Sequence, residues 1–561
     1  MNRAYRLIWS ELYGNFVAVA EFVRARRKCS GAALVAGLVL SSPVFASGLP
    51  TGGQIVAGSG TIAQSGNRLT VTQTSDRLAA NWQSFSIAPG HAVRFVQPSA
   101  SSVALNRVLG SDVSVIQGSL SANGQVYLIN PNGVLFTPTA QVEVGGLIAS
   151  TLNLGQEDFM AGRLRFVGDS TAAVVNRGAI RVAEGGAAAF IAARIENTGT
   201  IEAPRGRVLM GAGRAVTLDL LGPVKVQVEE GALQAQIEQG GAIRADGGLV
   251  YLTAKAAADL ASAVINHSGI TEAKALATGE RGEIYLMGDM ARGQVNVGGR
   301  LEAPGGFIET SAARVQVQEG AQVRAGHWLI DPTDITIDSA MASALQGQLA
   351  SGHATVQTTS GPGNGDIFVN AGITWTSGNT LTLSAHRNIE INATLDASGG
   401  AGGKVVLEYG QGAPASGNPA TYTFGLTGSG FAGRINLKPG DNFSTKLGSD
   451  GTPIQYTVIT SLGAAGHELS GDNSSLQGLA HSSRLAGNWA LGADIAASAT
   501  SGWNSNAGFV PIGGSTPFTG RFEGLGHTIS GLTINRPSDS EVGLFGRTDS
   551  GAQIRNVGLA G

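Results

Sequence analysis

Asp331, Asp334 and Asp338 fall within eight residues in the segment WLIDPTDITID. Carboxylates grouped this closely are the oxygen donors that a Ca²⁺ ion takes. The residues between Asp334 and Asp338 alternate as a strand does, so a turn with solvent-facing strand positions is the favoured reading, and no metal ligand is assigned. Gly428 to Gly433 spells G-x-G-x-x-G, the pattern that can cradle a phosphate where a strand gives way to a helix. It opens instead onto RINLKPG, a strand pattern, and in a chain with 83 glycines a chance match is expected. The eight histidines are scattered without a pair at ligand spacing, and the single cysteine, Cys29, lies near the N-terminus. G-x-S-x-G, H-E-x-x-H, Walker A, the Ca²⁺-binding nonapeptide and Arg-Gly-Asp are all absent from the sequence. No catalytic, cofactor-binding or metal-binding residue is assigned, and a non-enzyme is expected. What remains is polar and uncharged: Asn130-Pro131-Asn132-Gly133, set between the apolar runs QVYLI and VLF. Pro131 presets φ for the second residue of a turn, and Asn132-Gly133 tolerate the positive φ that can follow. Two uses stay open for it, a turn that stabilises the local fold or a surface that a partner touches directly.

The elements that must hold this turn are strands. Only 14% of residues are charged and 6% aromatic, yet 42% are hydrophobic, largely Val, Ile, Leu and Ala in short alternating runs. That apolar content is adequate for a core, which argues against disorder, and glycine-rich turns between alternating runs suit an all-β protein. The repeats are explicit. GAIRVAEGGAAAFIAARI from Gly178 and GTIEAPRGRVLMGAGRAV from Gly199 begin 21 residues apart. GAIRADGGLVYLTAKAA from Gly241 and GRLEAPGGFIETSAARV from Gly299 follow the same plan. Asn176-Arg177-Gly178 and Asn197-Thr198-Gly199 keep one offset, and Asn266-His267-Ser268-Gly269 echoes them. A period of about 20 residues with no helix-period segment predicts a β-solenoid with one repeat per coil, roughly 25 coils in all. The fold class expected is all-β, a right-handed parallel β-helix with small extra-helical β elements.

A net charge of −3 leaves no basic footprint for nucleic acid. Near the N-terminus, Arg24, Arg26, Arg27 and Lys28 precede the apolar run LVAGLVL, and Val44-Phe45-Ala46 precedes Ser47. This is a secretory signal peptide cleaved between Ala46 and Ser47. It is lengthened at its start by an amphipathic, aromatic-bearing region from Met1 to Glu21. Cleavage leaves a mature chain without cysteine, so disulfides are not expected.

MNRAYRLIWSELYGNFVAVAEFVR resembles the extended signal peptide region of very large bacterial exoproteins. ANWQSFSIAPGHAVRFVQPSASSVALNRVLG, VIQGSLSANGQVYLINPNGVLF and GGLIASTLNL, in that order, resemble the secretion domain of two-partner secretion exoproteins of the filamentous haemagglutinin and high-molecular-weight adhesin family. GRFEGLGHTISGLTI and VGLFG resemble the GLUG-type repeats of bacterial surface proteins. The domains expected are an extended signal peptide over 1–46 and a two-partner secretion β-helix over 47–310. A solenoid continuation over 311–410, a Gly/Ser-rich irregular region over 411–488 and GLUG-like repeats over 489–561 follow. Gly561 falls amid a repeat, so the sequence is expected to be part of a longer protein.

The resemblance implies export. The general secretion machinery delivers the chain to the periplasm, an outer-membrane β-barrel transporter with periplasmic docking domains receives it, and the solenoid folds at the surface of a Gram-negative cell. Host-cell or bacterial surface receptors are implied as later partners, with adhesion as the purpose. Asn130, Pro131, Asn132 and Gly133 resemble the family's Asn-Pro-Asn-Gly-Ile motif, with Val134 in place of Ile, and become candidates for transporter recognition. The Asn-Pro-Asn-Leu element of the haemagglutinin branch is missing. Ala104-Leu105-Asn106-Arg107-Val108 occupies that neighbourhood, which makes Asn106 and Arg107 candidates as well. The alternatives are a β-helix polysaccharide lyase or hydrolase, and a carrier of a haemolysin or contact-dependent toxin.

Overall fold

The computed structural model describes residues 5–10, 15–20, 48–219, 226–257, 262–275, 281–470, 472 and 474–561. Residues 1–46 and 47–561 form two separate compact units. In the first, Tyr5–Ser10 and Asn15–Ala20 pair antiparallel, from Tyr5 opposite Ala20 to Ser10 opposite Asn15. The expected cleavage pair, Ala46 and Ser47, lies outside the described residues.

The second unit is a parallel β-helix. One coil runs through Ser119–Ala122, Gln125–Ile129 and Val134–Phe136, and each strand lies parallel on its counterparts in the coils before and after. Side chains alternate along a strand, so a parallel in-register stack piles like positions into columns. Leu69, Val93, Leu120, Val142, Ile180, Ile201, Ile243, Thr271, Leu301 and Val323 form one such inward column. All of them are buried, and Thr271 is the one polar member.

The repeat is less even than 21 residues. Ala179, Thr200, Ala242, Ile270, Arg300 and Gln322 are consecutive members of one column, so coils take between 21 and 42 residues. The roughly 25 coils expected from a uniform repeat are therefore not reached. The extra residues build extra-helical pieces at coil corners. Asn153–Leu154, Arg165–Val167, Ala215–Leu218 and Val226–Glu230 form an antiparallel sheet. With Phe159 of the short helix Gln156–Met160, that sheet makes a second apolar cluster with Leu105, Tyr127, Ile129, Ile148 and Leu209, which point outward from the solenoid.

Antiparallel strands close the N-terminal end. Gln54–Ala57 pairs with Arg77–Trp82, and Gly60–Ser65 pairs with Arg68–Gln73. A helix, Ser339–Leu349, interrupts the stack later, against the expectation of no helix. Asp338 caps it by accepting from the Met341 N–H at 2.9 Å. Gln348, fully buried, lies across the edge strand: its Oε1 accepts from the Ala325 N–H at 2.8 Å and its Nε2 donates to the Ala325 carbonyl at 3.0 Å. The first column of strands ends there, and the side chain supplies the hydrogen bonds that a further strand would have made.

The region 411–488, expected to be irregular, contributes Tyr422–Phe424, Arg434–Asn436 and Gly440–Leu447 to the stacked sheets. Asn488–Leu491, Arg521–Glu523 and Gln553–Arg555 then stack parallel in turn. Residues 489–561 thereby continue the same sheet.

Candidate functional site

Asn130-Pro131-Asn132-Gly133 sits at the corner between the strands Gln125–Ile129 and Val134–Phe136. The Gly133 N–H donates to the Asn130 carbonyl at 3.0 Å, which closes a four-residue turn. The sequence allows positive φ at both Asn132 and Gly133; only Gly133 adopts it, at +120°. Asn132 is used through its side chain instead.

Asn130 is fully buried, and every polar atom of its side chain is occupied. Nδ2 donates to the Asp112 carbonyl at 2.8 Å and to Ser114 Oγ at 2.9 Å. Oδ1 accepts from the Asn132 N–H at 2.9 Å and from Asn132 Nδ2 at 3.1 Å. Asn132 Nδ2 also donates to the Gly110 carbonyl at 2.8 Å. The two asparagines thus reach back one coil and hold the loop 109–113. Pro131 is exposed, and its carbonyl accepts from Ser170 Oγ at 2.5 Å. An asparagine suits this place because its amide offers donors and an acceptor without a charge, and a buried charge here would lack a counter-ion.

Asn106 and Arg107 lie on the strand Val103–Val108 of the coil before, opposite Leu128 and Ile129, and their side chains take opposite sides of the sheet. Asn106 is fully buried in the solenoid, where Oδ1 accepts from Trp82 Nε1 at 3.0 Å. Its Nδ2 donates to the carbonyls of Ala104 and Tyr127 at 3.2 and 3.3 Å. Arg107 points to the outer side, where Nε donates to Asn81 Oδ1 at 3.1 Å and Nη2 to Gln156 Oε1 at 3.2 Å. Partial burial lowers its pKa from the usual guanidinium value. Arg107 thereby ties the solenoid to the inserted helix.

The three aspartates take three separate roles. Asp334 accepts from the backbone N–H groups of Asn364, Gly365 and Asp366 at 2.7–3.1 Å and so holds that loop. Asp338 caps the helix. Asp331 lies on an outer sheet face, where Oδ2 accepts from Gln357 and Oδ1 is buried without a hydrogen bond. Burial, with Glu309 nearby, pushes the Asp331 carboxyl up to about 6. Gly428–Gly433 lies on the hairpin formed by Leu426–Thr427 and Gly430–Phe431. Among the described residues, no group of three or more His, Cys, Asp or Glu is placed to hold a metal ion, and no helix is long and apolar enough to cross a membrane.

Sequence reasoning missed an internal polar column. Asn176, Asn197, Gln239 and His267 occupy one register position, so His267 rather than Asn266 continues the asparagine offset. Asn176 Nδ2 donates to Asn197 Oδ1 at 2.7 Å, and Asn197 Nδ2 donates to Gln239 Oε1 at 2.8 Å. His267 closes the run with Nδ1 against the Gly298 carbonyl at 2.7 Å and Nε2 against Thr271 Oγ1 at 2.9 Å. Its position two residues before Gly269, like Asn176 before Gly178, is the signal that could have found it. Ser114, Gly110 and Asp112 were missed for a different reason: they act through backbone groups or a single hydroxyl, which leave no motif.

Residues 46–296 match the family model described as the TPS secretion domain. Residues 1–50 match the model described as the extended signal peptide of the type V secretion system. The chain is 34% identical over 221 residues to a heme/hemopexin-binding protein of Haemophilus influenzae, covering 37% of this chain and 24% of that protein. It is 39% identical over 150 residues to halomucin of Haloquadratum walsbyi, covering 25% of this chain and 2% of that protein. The chain thus spans about a quarter or less of the length of these curated relatives. Among solved structures, the HMW1 secretion domain from Haemophilus influenzae is similar with a TM-score of 0.49 and 22% identity, over 67% of this chain and 96% of that one.

Proposed function

Because the chain belongs to the two-partner secretion exoproteins, we propose that residues 47–310 serve both as the address read by its outer-membrane partner and as the nucleus on which the remaining coils fold. The protein is a secreted exoprotein. Its extended signal peptide takes it to the periplasm, and the secretion domain directs it through the partner to the surface of a Gram-negative cell. The partner in this reading is a β-barrel transporter with periplasmic docking domains.

The observation that carries the reading is positional. The match over residues 46–296 begins with the antiparallel strands that close the solenoid and takes in the corner built by Asn130 and Asn132. A solenoid with one closed end can grow by adding coils at the other. A stability of about 0.1 kcal/mol per residue gives about 2 kcal/mol for a coil of 21 residues. That is several times the thermal energy, enough for each coil formed outside to oppose backward sliding. The later coils then display a long surface, and adhesion to host or bacterial cells is the use proposed for it.

The test is release of the full chain from a Gram-negative host with and without a transporter of the two-partner type. Transporter-dependent appearance outside the cell is expected. Release without the transporter, or retention in the periplasm with it, overturns the reading.

A further inference from the structure

Asp331 is followed by Pro332, and theirs is the one Asp–Pro bond in the chain. An aspartate carboxyl stands a single methylene from its own backbone, so it can close a ring on its own carbonyl carbon without any approach of a second molecule. Proline is the best leaving group for that attack, because its nitrogen carries no amide hydrogen and departs as a basic secondary amine.

The strand Gln322–Asp331 ends at this bond, with Asp331 opposite Ser311 of the coil before. Gln357 of the coil after donates to Asp331 Oδ2 at 3.2 Å, whereas Oδ1 is buried and has no hydrogen-bond partner. A buried polar atom left unpaired costs free energy and calls for an explanation. The lone pairs of Oδ1 are neither hydrated nor hydrogen-bonded, which leaves them open for attack on a carbon. The Asp331 carbonyl oxygen accepts from the Ala312 N–H at 3.3 Å, a donor set where negative charge collects during such an attack. Pro332 is buried, and its carbonyl accepts from the Thr359 N–H at 3.1 Å, so both sides of the bond are held. Glu309, on the strand before, is the charged neighbour that acts on Asp331. Burial and this charge keep the Asp331 carboxyl protonated up to about pH 6. The strand after presents the uncharged Gln357, His327 on the same strand is bound to Thr355, and Asp334 is held by the N–H groups of 364–366.

We propose that the chain cuts itself at the Asp331–Pro332 bond, with Asp331 as the reacting group. Oδ1 bonds to the Asp331 carbonyl carbon, the bond from that carbon to the Pro332 nitrogen breaks, and the carboxyl proton passes to the nitrogen. The products are a cyclic anhydride on Asp331 and a free proline amine. Water reaches the half-buried Asp331 and opens the anhydride to two carboxyl groups, so the net change is hydrolysis of one peptide bond. Each chain reacts once. The cut separates the segment that matches the secretion domain from the coils that follow. Strand pairing still joins His327–Ile330 to His353–Val356 across the cut, so the pieces part only when that pairing opens. The chemistry does not depend on the export reading, which gives the cut its use as a way to shed the outer coils.

The test incubates the purified mature chain between about pH 5 and pH 8, the range that brackets the Asp331 titration. Denaturing electrophoresis and intact mass should show fragments 47–331 and 332–561, with masses that sum to the chain plus one water. Cutting should be first order, independent of protein concentration, and slower as the pH rises through about 6. Asp331→Asn keeps the shape without the acid and should cut about a hundredfold more slowly, with melting unchanged or raised. Pro332→Ala keeps the acid but offers a poorer leaving nitrogen, and should be slowed as well. Glu309→Gln removes the neighbouring charge and should move the pH profile downward, a shift that a merely structural Asp331 would not produce. An unaltered chain that stays whole at pH 5 overturns the proposal. Cutting at another bond, or equal cutting in Asp331→Asn, assigns the break to a protease and overturns it too. Transporter-dependent release is read separately, so a failure there would overturn the export reading and leave this result standing.

Discussion

At Asn130, one side chain satisfies two groups of the preceding coil and two of its own turn. Asn130→Ala removes the partner of Ser114 Oγ at a buried site and of the Asp112 carbonyl and the Asn132 N–H at partly buried ones. Buried groups left unsatisfied cost about 1–3 kcal/mol each, so the melting temperature should fall by several degrees, and a variant that melts like the unaltered chain would show that water replaces the amide. His267 makes a second prediction. Burial holds its pKa down at about 4, with the Gly298 hydrogen bond opposing the shift. The folded value lies below the unfolded value of about 6.5, so the contribution of neutral His267 is fully present above pH 6.5 and is lost as the pH falls through 6.5 toward 4. The loss by pH 4 is on the order of 3 kcal/mol. His267→Gln should flatten the fall in melting temperature over that range, and an unchanged pH profile would count against the assignment. At this scale the sequence was half legible. Asn130 could be singled out because Pro131 and Gly133 mark its turn. Asn106 could not be placed, because only the strand register shows that it faces Trp82 inside the solenoid and not a partner outside.

Adjacent columns of one sheet separate two kinds of stabilisation. Beside the inward column that contains Ile243 runs an outward one with Arg181, Glu202, Arg244 and Glu272 in consecutive coils. Arg181 meets Glu202 at 2.7 Å, and Arg244 lies 3.6 and 3.4 Å from Glu202 and Glu272. Opposite charges opposite each other pin the register at modest gain, because the Arg244 side chain is 47% exposed and water screens the pairs. Arg244→Ala is therefore expected to cost less than about 1 kcal/mol. Ile243→Ala, one residue away, should cost about 2–5 kcal/mol. Urea denaturation of the two variants checks the contrast, and equal losses would mean that the charge column carries stability comparable to the core. The alternation behind both columns is visible in the bare sequence, as is the 21-residue offset of the first two repeats. The insertions broke the offset afterwards. The helix Ser339–Leu349 escaped notice because its small residues give no strong apolar stripe, and its start rests on a single aspartate.

Across the whole molecule, a coil mostly touches its neighbours, but the C-terminal part is also bound by contacts that span many residues. Glu523, 1% exposed, accepts from Tyr422 Oη at 2.6 Å, 101 residues away in sequence. Its other oxygen accepts from Asn556 Nδ2 at 2.9 Å and from the Leu525 N–H at 3.2 Å. The Arg555 guanidinium lies over the Tyr422 ring at 4.3 Å and donates to the Tyr422 carbonyl at 3.1 Å. His527 Nε2 reaches the Ile435 carbonyl at 2.9 Å, 92 residues back. This cluster fastens residues 523–556 to coils laid down well before them, so a lesion here should act on that end alone. Glu523→Ala removes one partner of a buried ionic network, a change worth about 3 kcal/mol or more. In a molecule whose stability is a sum over neighbouring coils, that loss should stay local. Hydrogen exchange over 422–561 should then speed up by about a hundredfold, while protection over 48–310 remains as in the unaltered chain. Glu523→Gln, which keeps the size and one acceptor, should fall between the two. If protection over 48–310 dropped in step with the C-terminal part, the coils would be one cooperative unit. Outward growth coil by coil would then lose its energetic basis, since no intermediate with part of the solenoid folded would be stable enough to hold the chain outside.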